Sequence, residues 1–232
     1  RVVHNAVMSA FARRGESHKT IHYLRTHGDG KDGNDLMSYN CIIAAFAKQG
    51  DGKSAEHWLQ VAIEQNLKPD HVSFHSVLGA YSKTGDTKNA HKVFHNMLRA
   101  RVRHDIFSVN CLLDAHAQSS DIDGAIHIFM KFCHRGAVEP DLLSYMAVIV
   151  GAAKSGNADI ASEWFNKMEA VGLKPDVRLF TAVVSAFAKR GDRQTAQVWY
   201  DKMVGMGFQP DHVSFSALFD GMNDSQRLQS ND

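Results

Sequence analysis

Hydrogen-bonding side chains recur in this chain at two fixed places in a period of about 35 residues. Six aspartates are spaced by 35, 35, 36, 35 and 35 residues: Asp35, Asp70, Asp105, Asp141, Asp176 and Asp211. A second series, mostly of short polar groups, keeps the same interval: Asn5, Asn40, His75, Asn110, Met146, Thr181 and Ser216. Polar groups that vary from one period to the next suit hydrogen bonds to nucleic-acid base edges. Carboxylates separated by whole periods do not make a catalytic pair.

Two further series lie on the same period. Cations occupy one position in five of the six periods, with Gln118 in the remaining one: Arg13, Lys48, Lys83, Lys154 and Lys189. Mostly apolar groups occupy another: Val2, Met37, Val72, Phe107, Leu143, Arg178 and Val213. A regular row of cations suits a phosphate backbone, and apolar or planar groups suit stacking against bases.

The period itself indicates a stacked repeat protein. Counting each repeat to its closing aspartate gives six complete repeats, 1–35, 36–70, 71–105, 106–141, 142–176 and 177–211, and a partial seventh, 212–232. A glycine marks the middle of every complete repeat except the fourth, where Ser120 stands. The fourth repeat is also one residue longer, so we expect an irregularity there.

Each repeat is predicted to form two α-helices. Apolar residues at repeat positions 4, 7, 8 and 11 make one helical face, and a second set follows at positions 20, 23, 24 and 27. The second set includes Trp58, Trp164 and Trp199, which we expect in the core. The middle glycine can end the first helix, and an aspartate can cap each helix start. We therefore predict an all-α fold, an α-solenoid of stacked helix-turn-helix hairpins, with about thirteen helices, the last over 212–222.

The chemical series are predicted to lie on one surface. At about 100° per residue, positions 2, 5, 9 and 13 of the first helix lie opposite its apolar stripe. We therefore expect the side chains at positions 2, 5 and 13 to be displayed and not buried.

Composition argues against several other kinds of protein. No apolar run approaches the roughly 20 residues of a membrane span, so no membrane partner is expected. Three cysteines without a CxxC pair indicate neither a disulfide framework nor a zinc ribbon. His18 with His22, and His91 with His95, have a spacing that can hold zinc, but no third ligand accompanies either pair. Residues 28–35 lack the oxygen ligands of a calcium loop. We expect no metal, no cofactor and no catalytic site.

With these series in phase, the chain resembles the pentatricopeptide-repeat family, in its 35-residue class. The resemblance covers all six repeats, as in VRLFTAVVSAFAKRGDRQTAQVWYDKMVGMGFQPD, 177–211, and LMSYNCIIAAFAKQGDGKSAEHWLQVAIEQNLKPD, 36–70. It implies that the α-solenoid is a right-handed superhelix. It also implies single-stranded RNA binding, one nucleotide per repeat, with the amino-terminal repeats toward the RNA 5′ end. It further implies a mitochondrion or plastid, a role in RNA processing, stability or translation, and protein partners in an RNA-processing or ribosomal complex. Because the chain begins at Arg1 on a repeat boundary, we expect a targeting segment to be missing from it.

In that family the fifth and last residues of a repeat together select the base. By resemblance, three pairs imply U over C: Asn5 with Asp35, Asn40 with Asp70, and Asn110 with Asp141. Thr181 with Asp211 implies G. His75 with Asp105 and Met146 with Asp176 depart from the familiar combinations, so the third and fifth repeats receive no base.

Simpler interpretations stay open for each series. The aspartates could act only as helix caps, the cations could form an ordinary solvated face, and the apolar groups could pack between hairpins. The main alternative function is a protein-protein interaction scaffold of tetratricopeptide type, since that fold shares the hairpin architecture. The 35-residue period and the closing Pro-Asp favour RNA binding.

Overall fold

The structure, a computed structural model, describes residues 2–27, 35–134 and 138–210, together with His212 and Ser216. These described ranges contain twelve α-helices and no β-strand: α1 Val2–Arg14, α2 Ser17–His27, α3 Leu36–Gln49, α4 Gly52–Glu64, α5 His71–Thr84, α6 Thr87–Arg99, α7 Ile106–Gln118, α8 Ile122–Phe129, α9 Leu142–Lys154, α10 Ala158–Ala170, α11 Val177–Lys189 and α12 Arg193–Gly205. The predicted all-α class is confirmed. The helix predicted over 212–222 falls outside the described ranges, apart from those two residues. Among the described helices, none has both the length and the apolar character that crossing a bilayer requires.

Aspartates cap both helices in most of the hairpins, as the sequence predicts; α10 differs, since Asn157 precedes it without a side-chain cap. In the second repeat, the backbone N–H of Ser38 donates to Asp35 Oδ1 at 2.9 Å, and that of Ser54 donates to Asp51 Oδ1 at 3.0 Å. Each such cap contributes about 1 kcal/mol to helix stability. Gly50 ends α3 with φ 78°, a left-handed conformation that strains residues with a Cβ. The hairpin boundaries therefore follow from these local signals.

The described residues form two compact bodies, an N-terminal body up to Ser119 and a C-terminal body from Ser120. In the N-terminal body the first helices of successive hairpins, α1, α3, α5 and α7, pack side by side. The second helices α2, α4 and α6 each pack against the first helices before and after them. Ile42, Val77 and Leu113 on the first helices are inaccessible to solvent, so the apolar stripe at positions 7 and 8 forms the core, as predicted.

The C-terminal body is built in the same way, with α9 beside α11 and with α10 and α12 packed against them. Aromatic rings fill its core. Trp164 lies edge-on to Phe129 with ring centroids 4.7 Å apart, and Trp199 lies edge-on to Phe165 at 4.9 Å. Both tryptophans are buried, while Trp58 in the N-terminal body is half-buried. The predicted core role of this position is confirmed.

The fourth repeat is irregular at two places. Ser120 has φ 60° where the other complete repeats have glycine, and the division between the two bodies falls beside it. Further on, Met130–His134 continues α8 as a π-helical segment. A π-turn accommodates one extra residue, and Cys133 is buried where the 35-residue phase would place Phe132. The extra residue of this repeat is thus absorbed in its second helix.

Candidate nucleic-acid interface

A groove of about 570 Å³ runs along the first helices of the N-terminal body. Its walls come from α1, α3, α5 and the start of α7, and they unite the predicted series: the apolar Met37, Val72 and Phe107, the polar Asn40 and His75, and the cationic Arg13, Lys48 and Lys83. A hollow of about 330 Å³ continues it past Asn5, sharing Arg13 and Met37. Three chemically different series therefore meet on one surface of this body.

The polar series is the least exposed of the three. Asn40 is only 5% exposed, and Asn110 and Thr181 are also buried on their own helices. The expectation that position 5 would be displayed was wrong, because α1 and α5 pack along either side of α3 and cover the base of that side chain. A ligand would have to enter the groove to reach these groups.

Asn40 and Asp70, the fifth and last residues of the second repeat, are in direct contact. Asn40 Nδ2 donates to Asp70 Oδ1 at 3.2 Å, while the hydroxyl of Ser73 donates to Asn40 Oδ1 at 2.6 Å. The backbone N–H of Ser73 also donates to Asp70 Oδ1 at 3.0 Å, which caps α5. One carboxylate therefore caps a helix and orients the Asn40 amide, so the two interpretations of the aspartate series are compatible.

Asp70 is a charged acceptor at neutral pH. Burial alone would raise its pKa, but hydrogen bonds from Ser73 and Asn40 outweigh burial and hold the pKa below the ordinary value for aspartate. Within the described ranges, Asn40 Nδ2 makes this one hydrogen bond, while the Asp70 carboxylate also accepts from the backbone N–H of Val72. The pair therefore offers a ligand one donor beside one charged acceptor.

The third repeat repeats this juxtaposition with an imidazole. His75 Nε2 lies 3.1 Å from Asp105 Oδ1, and Asp105 caps α7 through the N–H of Ser108. The ring of His75 also lies against Phe107, with centroids 4.5 Å apart. Burial lowers the pKa of His75, while the neighbouring Asp105 carboxylate acts in the opposite direction. An aromatic ring and an imidazole thus lie side by side at the junction of the third and fourth repeats.

For the remaining predicted pairs, the structure places most of the residues individually. Asn5 Oδ1 is buried and has no hydrogen-bond partner within the described ranges, and Asp35 caps α3. Met146 on α9 is half-buried, and the carboxylate of Asp176 accepts a hydrogen bond from Arg178 Nε at 2.9 Å. Asn110 lies on α7, and Asp141 caps α9. Asp211, Val213 and the side chain of Val2 fall outside the described residues.

The cationic and apolar series are accessible. Arg13, Lys48 and Lys83 are exposed at the ends of α1, α3 and α5, and Lys154 and Lys189 are exposed at the ends of α9 and α11. Lys83 Nζ also donates to the carbonyl oxygen of Ala47 at 3.1 Å. About half of the surface of four apolar groups is open to solvent: Met37, Val72, Phe107 and Leu143. Packing between hairpins therefore leaves about half of each of these side chains accessible to a ligand.

Sequence reasoning missed the serine at repeat position 3. Ser73, Ser108 and Ser144 form capping boxes with Asp70, Asp105 and Asp141, and Ser38 donates to Asp35. The recurring Asp-x-x-Ser was visible in the sequence as a cap signal. Its link to the groove, through Ser73 and Asn40, depends on contact between neighbouring repeats and was not visible.

Helical hairpins in a fixed period, with polar, apolar and cationic positions along their first helices, define an α-helical repeat protein. A PPR repeat family model matches residues 69–118 and 175–224, a pentatricopeptide repeat domain model matches 33–84 and 128–190, and a further PPR repeat model matches 107–136. Together they span residues 33–224. The chain belongs to the pentatricopeptide-repeat family.

Solved structures share the fold. Maize PPR10 matches with a TM-score of 0.70 and 21% identity, over 98% of this chain and 37% of that one. PPR10 in complex with an 18-nt psaJ RNA element matches with a TM-score of 0.68 and 20% identity, over 98% and 38%. The PPR domain of Arabidopsis thaliana protein-only RNase P 1 in complex with tRNA matches with a TM-score of 0.63 and 14% identity, over 78% and 95%. This chain spans less than two fifths of the PPR10 chain. No curated protein sequence gives a significant match.

Proposed function

We propose that this chain binds single-stranded RNA through the first helices of its hairpins, with one nucleotide per repeat. The fifth and last residues of each repeat select the base, the cations at position 13 contact phosphates, and the groups at position 2 stack against bases. The segment is proposed to bind RNA and not to cleave it. Support comes from the family and from solved relatives in complex with RNA.

The contact between Asn40 and Asp70 is the observation that carries the proposal. It places a donor beside a charged acceptor at a groove that has exposed cations and half-exposed apolar groups on its walls. A uracil presents a carbonyl oxygen next to a ring N–H, which complements that pair. In the same register a cytosine would place the unprotonated N3 against the carboxylate, which is unfavourable. The geometry thus supports U over C at the second nucleotide.

Extending the same reasoning along the chain gives a preferred RNA. From 5′ to 3′ the six repeats favour pyrimidine, pyrimidine, any base, pyrimidine, any base and G, with U preferred over C. We further propose that this RNA belongs to a mitochondrion or plastid and that binding serves its processing, stability or translation, with protein partners in the same complex. These proposals follow the family.

Selection of bound RNAs from a random single-stranded pool tests the function. Enrichment of a motif with the order given above is the expected result. A variant with Lys48→Gln and Lys83→Gln should lose affinity without changing the motif, because these side chains face phosphates. If no single-stranded motif is enriched, the proposal fails and the tetratricopeptide-type scaffold becomes the better account.

A further inference from the structure

The outer face of the N-terminal body, formed by α2, α4 and α6, carries positive charge that the groove does not use. Residues 1–119 contain 15 Lys and Arg against 11 Asp and Glu, whereas residues 120–232 contain 11 against 14. The net charge of +1 therefore conceals +4 in the first part and −3 in the second. Eleven of the 14 histidines also lie in residues 1–119. This asymmetry calls for a partner that distinguishes the two bodies.

The difference in charge between the two parts of the chain recurs at two fixed repeat positions on the second helices. Position 18 carries His18, Lys53 and Lys88, and position 22, one turn further on the same side, carries His22, His57 and Lys92, all exposed. In the next three repeats, the same positions carry Asp123, Asp159 and Gln194, then His127, Glu163 and Val198. With histidine neutral, the two positions carry +3 in the first three repeats and −3 in the next three. We name the first six residues the outer row.

Helix α6 extends the outer row into a continuous stripe. Lys88, Lys92, His95 and Arg99 lie at i, i+4, i+7 and i+11, along about 17 Å of one helical face, and all are exposed. Arg101 and Arg103 follow in the connection between α6 and α7. No aspartate or glutamate occurs between residues 87 and 104. The helical stripe therefore carries three permanent cations and one histidine, with no acidic residue among them.

Lys53 and Lys88 interact electrostatically with Asp86, but few of these cations form a close ion pair. Lys92 Nζ lies 2.8 Å from Glu56, but Lys53, Lys88 and Arg99 have no carboxylate within ion-pair distance in the described ranges. The acids of the C-terminal body differ, since Asp159 is bound by Arg190 and Glu163 by Lys167 at 2.7 Å. A second copy of this chain is therefore a poor partner, because two of the three acids at these positions are already paired. An external polyanion fits better.

A cleft of about 410 Å³ gives the outer row a concave contact point. It lies among α4, α5 and α6, and Lys53, His57, Lys92 and the amides of Gln60 and Asn89 line it. The carboxylate in its lining, Glu56, is held by the hydroxyl of Tyr81 at 2.7 Å and by Lys92. Gln60 Nε2 donates to Glu64 at 3.3 Å and Asn89 Nδ2 to Asp86 at 2.7 Å. The donors left to a ligand are therefore chiefly the ammonium of Lys53 and the ring of His57, which a phosphate group can contact.

We propose that the outer face of α2, α4 and α6 is a second RNA-binding surface, which contacts phosphates without reading bases. The choice of RNA among polyanions rests on the proposed function, because an RNA held in the groove brings further phosphates in its flanking segments. Such contacts suit base-paired RNA, in which the backbone is exposed and the base edges are not. The groove then selects a single-stranded sequence while the outer row holds structured RNA beside it.

Charge substitution in the full chain tests the proposal. The probe is a blunt RNA duplex of about two helical turns, which has no unpaired base for the groove. The variant Lys53→Gln/Lys88→Gln should bind it about tenfold more weakly at low salt and lower the log-log salt slope by about 1.8, since each phosphate contact releases about 0.9 counterions. Its affinity for single-stranded RNA should stay within about twofold of the unmodified chain. A matched control, Lys68→Gln/Lys174→Gln, removes two exposed cations outside the outer row and should leave duplex binding unchanged.

The outcomes separate this inference from the proposed function. If the outer-row variant and the control lose the same affinity for the duplex, the effect comes from net charge alone and the inference is overturned. Loss of duplex binding in the groove variant Lys48→Gln/Lys83→Gln, with retention in the outer-row variant, would also overturn it. So would binding of anionic vesicles or poly-glutamate in preference to the duplex. If only the outer-row variant loses the duplex while the groove variant keeps single-stranded RNA, the inference stands and the proposed function fails.

Discussion

Gly52 begins α4 against the ring of Tyr81, so a single added methyl group tests how the second and third hairpins pack. A Cβ at residue 52 would lie 2.6 Å from both Cδ1 and Cε1 of Tyr81, about 1 Å inside van der Waals contact. Tyr81 is 3% exposed, and its hydroxyl donates to Glu56 Oε2 at 2.7 Å. Burial and that hydrogen bond raise the pKa of Tyr81, so it stays a protonated donor. The ring cannot move aside without losing this bond.

The size of the effect follows from these contacts. Overpacking a filled site costs about 1 to 3 kcal/mol, and loss of a hydrogen bond to a charged acceptor costs about 1.5 to 3 kcal/mol. If the ring of Tyr81 moves part of the way, both the overpacking and the loss of the hydrogen bond are partial. We therefore expect Gly52→Ala to lower the free energy of unfolding of the N-terminal body by about 2 to 4 kcal/mol. Gly79→Ala is the matched control, because no atom lies within 4 Å of a Cβ there. In the interior of α5, alanine should stabilise by about 0.8 kcal/mol.

Hydrogen exchange followed by mass spectrometry on peptides of α4 and α5 is the suitable assay, because it reports on these helices separately from the C-terminal body. Faster exchange in Gly52→Ala and equal or slower exchange in Gly79→Ala is the expected result. If Gly52→Ala exchanges like the unmodified protein, the close approach of the two hairpins is wrong. If both variants are destabilised alike, packing against Tyr81 is not the cause.

Three further changes have defined outcomes. Lys154→Ala should weaken binding to all RNA sequences alike and reduce the salt slope by about 0.7, out of up to about 3.5 for the five cations of the series; a change in base preference would refute the phosphate role. His75→Asn should recreate the pairing of Asn40 with Asp70 and give the third nucleotide a severalfold preference for U in competition binding, and an unchanged third nucleotide would count against it. Ser120 has a left-handed backbone conformation that glycine adopts without strain, so Ser120→Gly should raise the free energy of unfolding by about 1 kcal/mol. The midpoint of thermal unfolding should rise accordingly, whereas a lower midpoint would show that the serine side chain is needed.

Local signals made the hairpins predictable from the sequence. Helical periodicity depends on residues three and four apart, and caps depend on residues three apart, so the positions of Ile42, Gly50 and Asp51 were sufficient for both helices of the second repeat. The same reasoning flagged the fourth repeat through Ser120. It did not predict the π-helical segment at Met130–His134, because an extra residue can be absorbed at many places and packing of the whole repeat selects one of them.

The residues of the site could be predicted from the sequence, but the extent to which each is buried could not. A helical wheel gives the direction of Asn40 relative to its own helix, and says nothing of how closely α1 and α5 approach. That approach buries the amide and brings it to Ser73, a residue of the next repeat. The hydrogen bond between Arg178 and Asp176 was missed for a different reason, since Arg178 was assigned to stacking by position alone.

The base preference at a single nucleotide tests the central claim most directly. Asn40→Thr gives the second repeat the same pairing as Thr181 with Asp211, and its effect is read by comparing affinities for RNAs that differ only in U or G at the second nucleotide. The unmodified protein should prefer U, and the variant should shift toward G by about fivefold or more, since one well-placed hydrogen-bonded contact discriminates by about 1 to 3 kcal/mol. The reciprocal change, Thr181→Asn, should shift the sixth nucleotide toward U. If Asn40→Thr folds and binds RNA with its preference at the second nucleotide unchanged, position 5 does not read bases, and Asp70 is a helix cap alone.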